Sequence, residues 1–454
     1  MIAESKTRPK GFNVKKSKIT PVQLIVIGYL SFALLGTLLL SLPISLQPGV
    51  ELSFIDALFT ATSAISVTGL TVTATNETFS NVGLAILMIW LQFGGIGIMT
   101  LGTLMYVVFG RQINLRGRML IKVDQNQTSL EGLVVLMLFI LKLAVFLELI
   151  AAVILTGHFY FHYAYEFKTA LKLGVFHALS AFTNAGFDLF GDSLQGFPQD
   201  YFLHTVIAVL LILGAIGFPV LLEIRCKILY RRRFSLFTKV TTLTFFALLV
   251  VGFLVVLIGE AGSSLNSLPW HQKIAVALFQ SLTTRNGGFS TYDITQFHNA
   301  TLMFFCLLMF IGASPSSCGG GIRTTTFAVV LMSIFTFWRD KENVQVFKRE
   351  LYAEDIHRSY AVFTLAIILV FFSTVAILEI EPFSATQVLF EVCSAFGTTG
   401  LSLGITPQLS TASKIILILL MFIGRIGLLS LLLLPHRPGR KSKIHYVKER
   451  IIVG

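Results

Sequence analysis

Apolar runs of two lengths alternate along the chain. Long runs occupy residues 23–42, 82–109, 130–155, 201–224, 240–258, 300–337, 360–380 and 412–434. The run at 300–337 is broken by a glycine-rich stretch; the others meet the length of roughly 20 residues that a bilayer-crossing helix needs. Within each successive pair of long runs lies a short one, at 54–67, 170–183, 272–284 and 385–397. These are too short to cross and are read as re-entrant half-helices. The pattern predicts an all-α polytopic membrane protein with eight full spans and four half-helices. The first 20 residues are polar and basic. The run behind them is too long for a signal-peptide core and has no small-residue cleavage site, so it is expected to stay as the first span.

Each half-helix leads into a short glycine-containing hairpin. The four read Val67-Thr68-Gly69, Asn184-Ala185-Gly186, Asn286-Gly287-Gly288 and Thr398-Thr399-Gly400. Steps between the closing glycines are 117, 102 and 112 residues. A phenylalanine stands ten residues before the glycine in three cases (Phe59, Phe176, Phe390) and nine before it in the third (Phe279). A second motif follows each hairpin, at Gly94–Gly97, Gly214–Gly217, Gly312–Pro315 and Gly424–Gly427. The chain therefore divides into a tail (1–20), four span–half-helix–hairpin–span repeats (21–109, 129–225, 239–338, 359–434) and a second tail (435–454). Each repeat holds two crossings, so all four have the same orientation. Parallel repeats are related by an axis along the membrane normal, unlike the inverted repeats common in secondary transporters.

Charge fixes the expected topology. Only 13% of residues are charged, about half the share of a soluble domain. The net charge is +12, and 27 of the 35 Lys and Arg lie in the two tails and in three loops after repeats one to three. All five basic segments share one side only if each half-helix returns to its side of origin. The positive-inside rule then places both termini in the cytoplasm. Solvated loops near lipid explain these charges without nucleic acid. The four cysteines show no paired spacing, so neither a disulfide framework nor a zinc site is expected.

Irregular backbone at membrane depth is tolerated where it lines a cavity or is buried in protein. Four hairpins facing one axis would present rings of carbonyls able to replace the hydration shell of a monovalent cation. Half-helix C-termini aimed at that axis add partial negative charge. Asp188 and Asp293, just beyond two hairpins, would make the outer mouth acidic. The break Gly312-Ala313-Ser314-Pro315-Ser316-Ser317-Cys318-Gly319-Gly320-Gly321 is richer in glycine than a kink requires, and is read as a mobile loop that obstructs the pore. Arg425, fourteenth in its run, is too deep to snorkel, and an intramembrane charge marks a functional site by default. It is expected below the hairpins, repelling cations or anchoring the loop. Arg323 is expected to pair with a cytoplasmic-side carboxylate such as Glu223. Lys142 and Glu148 are assigned a structural role between helices or at a dimer interface, and His158 and His162 are read as ordinary loop residues.

Two other classes were weighed. A secondary transporter of another monovalent cation, such as sodium, would show inverted repeats and mid-membrane carboxylates. A membrane enzyme would show a His, Asp or Ser cluster inside the spans. Neither signature is evident. The four hairpins, the glycine-rich break and the arginine of Gly424-Arg425-Ile426-Gly427 together resemble the Trk/Ktr/HKT superfamily of potassium transporters, over nearly the whole chain. In length and eight-span plan the chain is most similar to the KtrB-type membrane subunits of bacterial Ktr uptake systems. The resemblance implies a potassium-selective, channel-like pore working as a homodimer in a bacterial cell membrane. It also implies gating by a cytosolic ring of RCK subunits, which carry the nucleotide, and stimulation by sodium. No covalent cofactor is implied. Within the superfamily, serine at the first hairpin glycine goes with sodium selectivity, so Gly69 favours potassium. Asn286-Gly287-Gly288 departs from the expected Thr-Ala-Gly.

Overall fold

A computed structural model describes residues 20–97, 113, 115–124, 131–231, 233–433 and 449. Most of both tails, including most of their basic residues, and the second half of the run at 82–109 lie outside the described residues. The described chain is mostly helical. In order it forms α1 (Pro21–Leu40), α2 (Phe54–Ser66), α3 (Thr75–Thr78), α4 (Asn81–Ile96), α5 (Leu115–Asp124), α6 (Leu133–Phe161), α7 (Phe167–Phe182), α8 (Tyr201–Ala215) and α9 (Phe218–Tyr230). Then follow α10 (Leu236–Glu260), α11 (Trp270–Thr283), α12 (Asn299–Phe310), α13 (Thr324–Trp338), a small hairpin of β1 (Gln345–Val346) and β2 (Arg349–Glu350), α14 (Ala353–Ile380), α15 (Ala385–Gly397), α16 (Thr411–Ile426) and α17 (Leu428–Leu433).

Local chemistry sets the helix starts. Ser53, Ser80, Ser235, Ser384 and Ser410 each accept a hydrogen bond from the backbone N–H three residues on, opening α2, α4, α10, α15 and α16. Thr20 and Gln23 form a capping box at α1. Apolar character is then distributed as a bilayer demands. Leu38, Phe146, Val153, Phe371 and Phe372, on the long outer helices, are exposed. The half-length helices occupy the interior, and Phe59, Phe176, Phe279 and Phe390 are all buried.

Among the described residues, four helices, within α1, α6, α10 and α14, are long and apolar enough to cross a membrane. The second long run of each repeat is not one continuous helix: the break within 300–337 is the expected one, whereas those within 82–109, 201–224 and 412–434 correct the expectation of unbroken spans there. α8 and α9 meet at 99° across Ile216 and Gly217. α16 stops at Gly427, α4 stops at Gly97, and α12 and α13 are separated by the glycine-rich break. Gly97, Gly217 and Gly427 have φ of 93°, 101° and 90°, a region only glycine enters at low cost, so the helix ends there. Pro219 then suits the first turn of α9.

Packing runs in a ring. Each long outer helix (α1, α6, α10, α14) packs on the half-length helix that follows it (α2, α7, α11, α15). Each second helix packs on the next half-length helix: α4 on α7, α8 on α11, α12 on α15, and α16 back on α2. The closing contact carries an ion pair, Lys414 Nζ to Asp56 Oδ1 at 2.7 Å.

Candidate functional site: the ring of glycine hairpins

The four hairpins share one backbone design. The residue two before the closing glycine is left-handed in each: Val67 (φ 58°), Asn184 (59°), Asn286 (69°) and Thr398 (51°). The glycine itself is also at positive φ, at 90°, 68°, 73° and 92° for Gly69, Gly186, Gly288 and Gly400. A left-handed conformation costs about 1–3 kcal/mol for a non-glycine residue and persists only where the surroundings enforce it. Here the helix ends enforce it: Thr68 N–H donates to Ser63 O at 2.8 Å, Ala185 to Ser180 O at 2.8 Å and Thr399 to Ser394 O at 2.9 Å. Ser63 and Ser394 hydroxyls also accept from Gly69 N–H and Gly400 N–H, both at 3.1 Å.

Hairpin three closes one residue earlier. A hydroxyl residue stands four after the register phenylalanine in every case (Ser63, Ser180, Thr283, Ser394). From it, the left-handed residue is four further on in three hairpins but three further on at Asn286, and Gly287 N–H returns to Thr283 O at 2.7 Å. The nine-residue spacing from Phe279 is this missing residue.

The glycines meet in a closed cycle. A Cβ added to Gly69 would lie 2.3 Å from Ala185 O; one on Gly186 would lie 2.6 Å from Gly288 Cα; one on Gly288, 2.7 Å from Thr399 O; and one on Gly400, 2.3 Å from Thr68 O. Each hairpin thus abuts the next, and the fourth abuts the first. The carbonyls one residue before the glycines (Thr68, Ala185, Gly287, Thr399) are among the nearest atoms in all four contacts.

Behind the ring, side chains hold the chain as it leaves three of the four hairpins. They sit directly after the register phenylalanine, and the sequence reading missed them. Glu391, 1% exposed, accepts from Ser402 Oγ at 2.5 Å, Leu403 N–H at 3.0 Å and Thr406 Oγ1 at 2.8 Å. His177 Nε2 accepts from Leu189 N–H at 3.4 Å, while Gln280 Nε2 donates to Ser290 Oγ at 2.8 Å and Tyr292 O at 3.3 Å. The equivalent Thr60 bonds only within its own helix, to Asp56 O. Polar residues recurring next to the register phenylalanine were the available signal.

The second glycine motif has a packing role as well as a helix-ending one. Added Cβ atoms on Gly94, Gly214 and Gly424 would lie 2.5, 2.1 and 2.0 Å from the carbonyls of Ile65, Phe182 and Phe396. All three carbonyls are four residues before the hairpin glycine. Small residues let the second helix of these three repeats approach the end of its half-length helix, while Gly312 of the third repeat meets Gly320 O instead.

The glycine-rich break is buried and tied on every side. Ser314 N–H and Cys318 N–H donate to Ala215 O (3.1 Å) and Gly214 O (3.0 Å), and Phe218 N–H donates to Ser316 O (2.8 Å). Gly320 N–H donates to Thr398 Oγ1 at 2.7 Å, and Gly321 N–H to Gly424 O at 3.2 Å. Arg285, 1% exposed, donates to Gly312 O at 2.7 Å. Its burial was not foreseen. Asn286, the odd residue of hairpin three, donates to Thr398 O at 3.0 Å and to Gly397 O, and packs against Gly319. Arg425 donates to Cys318 O, Gly94 O and Gly95 O, joining α16, the break and α4.

Other expectations change. Arg323 bonds the Gly319 carbonyl rather than Glu223, whose carboxylate accepts from Ser235 N–H at 3.0 Å. The loop folds back within reach of Arg323, so no carboxylate is needed to seat it. His158 is helical, not a loop residue, and meets Asp200 at 2.5 Å; His162 caps the same helix and stacks on His158. Asp188 and Asp293 are committed to local turns, accepting from Gly191 N–H at 2.7 Å and Thr295 N–H at 3.0 Å. Glu148 bridges α6 to α4 by accepting from Gln92 at 2.9 Å.

Comparison with known proteins bears on this architecture. The model of the TrkH cation transport protein family matches residues 18–441. The chain is 48% identical to the Ktr system potassium uptake protein D of Bacillus subtilis, over 96% of this chain and 98% of that one. It is 37% identical to the Ktr system potassium uptake protein B of the same organism, over 97% and 98%. Its fold matches the crystal structure of the potassium transporter TrkH from Vibrio parahaemolyticus with a TM-score of 0.71, covering 93% of this chain and 86% of that one at 18% identity. The chain belongs to the TrkH family of cation transport proteins, within the Trk/Ktr superfamily.

Proposed function

We propose that this protein takes up potassium through the ring of glycine hairpins, as the membrane subunit of a Ktr-type system. The closed cycle Gly69–Gly186–Gly288–Gly400 carries the reading. It gathers four carbonyl-bearing hairpins at the C-terminal ends of four buried helices. Backbone carbonyls from Val67, Thr68, Asn184, Ala185, Asn286, Gly287, Thr398 and Thr399 replace the water shell of a dehydrated cation, and the helix ends favour positive charge. The loop 312–321 acts as the gate. Arg425 is its latch, and its ties to Cys318, Gly94 and Gly95 support that role. Both termini face the cytoplasm, where the basic loops meet a ring of RCK subunits that bind the controlling nucleotide. The working unit is a homodimer in a bacterial cell membrane, and sodium stimulates it. The relatives' description as parts of a Ktr system supports a partner subunit.

The test is growth of a potassium-uptake-deficient bacterium at low potassium, with the cytosolic partner co-expressed. Wild type restores growth. Gly69→Ser, whose Cβ would press on Ala185 O, shifts preference from potassium towards sodium in flux competition. No growth with wild type and its partner overturns the reading. A competing reading, a secondary transporter of another monovalent cation such as sodium, predicts no rescue of growth at low potassium.

A further inference from the structure

A cavity of about 30 Å³ lies beside the glycine-rich loop, lined by Tyr29, Gly95, Ser317, Arg323, Arg425 and Ser430 among others. Its charged lining residues are both arginines, which repel each other electrostatically. Arg425 is 8% exposed. Its hydrogen bonds go to neutral carbonyls, which satisfy donors without cancelling charge. Among the described residues Arg323 gives one hydrogen bond, to Gly319 O, although a guanidinium carries five N–H groups. No carboxylate among the described residues forms an ion pair with either arginine. Glu148, close enough to act on Cys318, gives Oε2 to Gln92 and points Oε1 at no partner among the described residues, so it makes no ion pair with either arginine. Uncompensated charge at membrane depth is costly, and a paired counter-charge relieves it.

We infer that this cavity binds a small inorganic anion, of the chloride class, between Arg323 and Arg425. The lining supplies two guanidinium groups, a donor set for an anion and a hostile one for a cation; Ser317 Oγ already donates to Ser314 O. One water needs roughly 10–15 Å³ of such space, so the cavity suits a monoatomic anion with little else, and excludes a nucleotide or phosphate ester. The inference rests on the proposed pore for its consequence: the anion offsets two positive charges beside the loop that potassium must pass. Offsetting one unit charge about 8 Å from the ion, at an effective dielectric of about 40–80, changes the rate by about two- to sixfold.

The direct test is anomalous diffraction from crystals of the full chain grown in bromide. A bromide peak between the two guanidinium groups, displaced by chloride and lost in Arg323→Gln, is the expected result. Absence of a peak in wild type at saturating bromide overturns the inference, whatever the variant does. In proteoliposomes, wild-type potassium flux should be about two- to sixfold faster in chloride than in gluconate, and Arg323→Gln should respond equally to both anions. Equal wild-type flux in the two anions also overturns it. No flux in either anion counts against the pore itself, and the bromide result then decides the anion site alone.

Discussion

Glu391 offers the sharpest test of how the ring is held. It is 1% exposed and accepts from Ser402 Oγ, Leu403 N–H and Thr406 Oγ1. Glu391→Ala leaves three donors without their acceptor, and each buried unpaired donor costs about 1–3 kcal/mol. The two hydroxyls recover part of this, because Ser402 and Thr406 already lie 3.1 Å apart and can bond each other. Leu403 N–H has no such recourse. The expected loss is therefore about 3–5 kcal/mol, most of one orphaned N–H and part of two hydroxyls. Glu391→Gln keeps one acceptor oxygen for Ser402 and Leu403 and offers its amide to Thr406, so it should cost about 1 kcal/mol. At roughly 2 °C per kcal/mol for a large chain, Ala should melt about 6–10 °C lower in detergent and Gln about 2 °C lower. Because the brace fixes the strand leaving hairpin four, Ala should also blunt potassium-over-sodium preference in flux competition, and Gln should retain it. An Ala variant that melts with wild type and keeps the same preference would refute the bracing role.

Gly214→Ala drives a methyl to 2.1 Å from Phe182 O, so a loss of about 1–3 kcal/mol and reduced flux are expected by melting and uptake assays. Gly28→Ala, with nothing within 4 Å, should be neutral or stabilising by up to about 1 kcal/mol. Arg425→Met removes the ties to Cys318, Gly94 and Gly95, and flux measured without the cytosolic partner should rise; shortening residues 314–321 should do the same. Burial pushes the Asp200 carboxyl up, but hydrogen bonds from Leu203 N–H, His158 and Tyr163 outweigh it and hold it below the usual range. Its stabilisation is present at neutral pH and lost as pH falls through the acid range. Asp200→Asn should thus lower the melting temperature at pH 7 but converge with wild type in acid.

Much of this was legible because membrane helices announce themselves by length and the hairpins by glycine. Gly69, Gly186, Gly288 and Gly400 sit where side chains cannot fit, so their spacing survives in the residues themselves. The broken second helices were less legible. A run such as 201–224 is apolar throughout, and hydropathy cannot register a 99° bend made by one positive φ at Gly217. His177, Gln280 and Glu391 give no hydropathy signal because each is a polar residue within an apolar half-helix, and Arg285 reads only as part of the third hairpin; the meaning of all four lies in the distant backbone they hold. The pairing of Arg323 with Glu223 failed because charge complementarity ignored a nearer carbonyl.

The ring closes within a single polypeptide, through α16 on α2 and Lys414 on Asp56. In a channel assembled from four identical subunits, every mutation is applied four times, and any change one wall cannot accept is forbidden to all. Here the walls are free to diverge. The third hairpin is one residue shorter, and its Arg285 and Asn286 reach the glycine-rich break and hairpin four, while the others have the longer form. Covalent linkage thus permits a division of labour, in which the third and fourth hairpins hold the glycine-rich loop, through Arg285 and Thr398, while the others make no such commitment in the bonds described above.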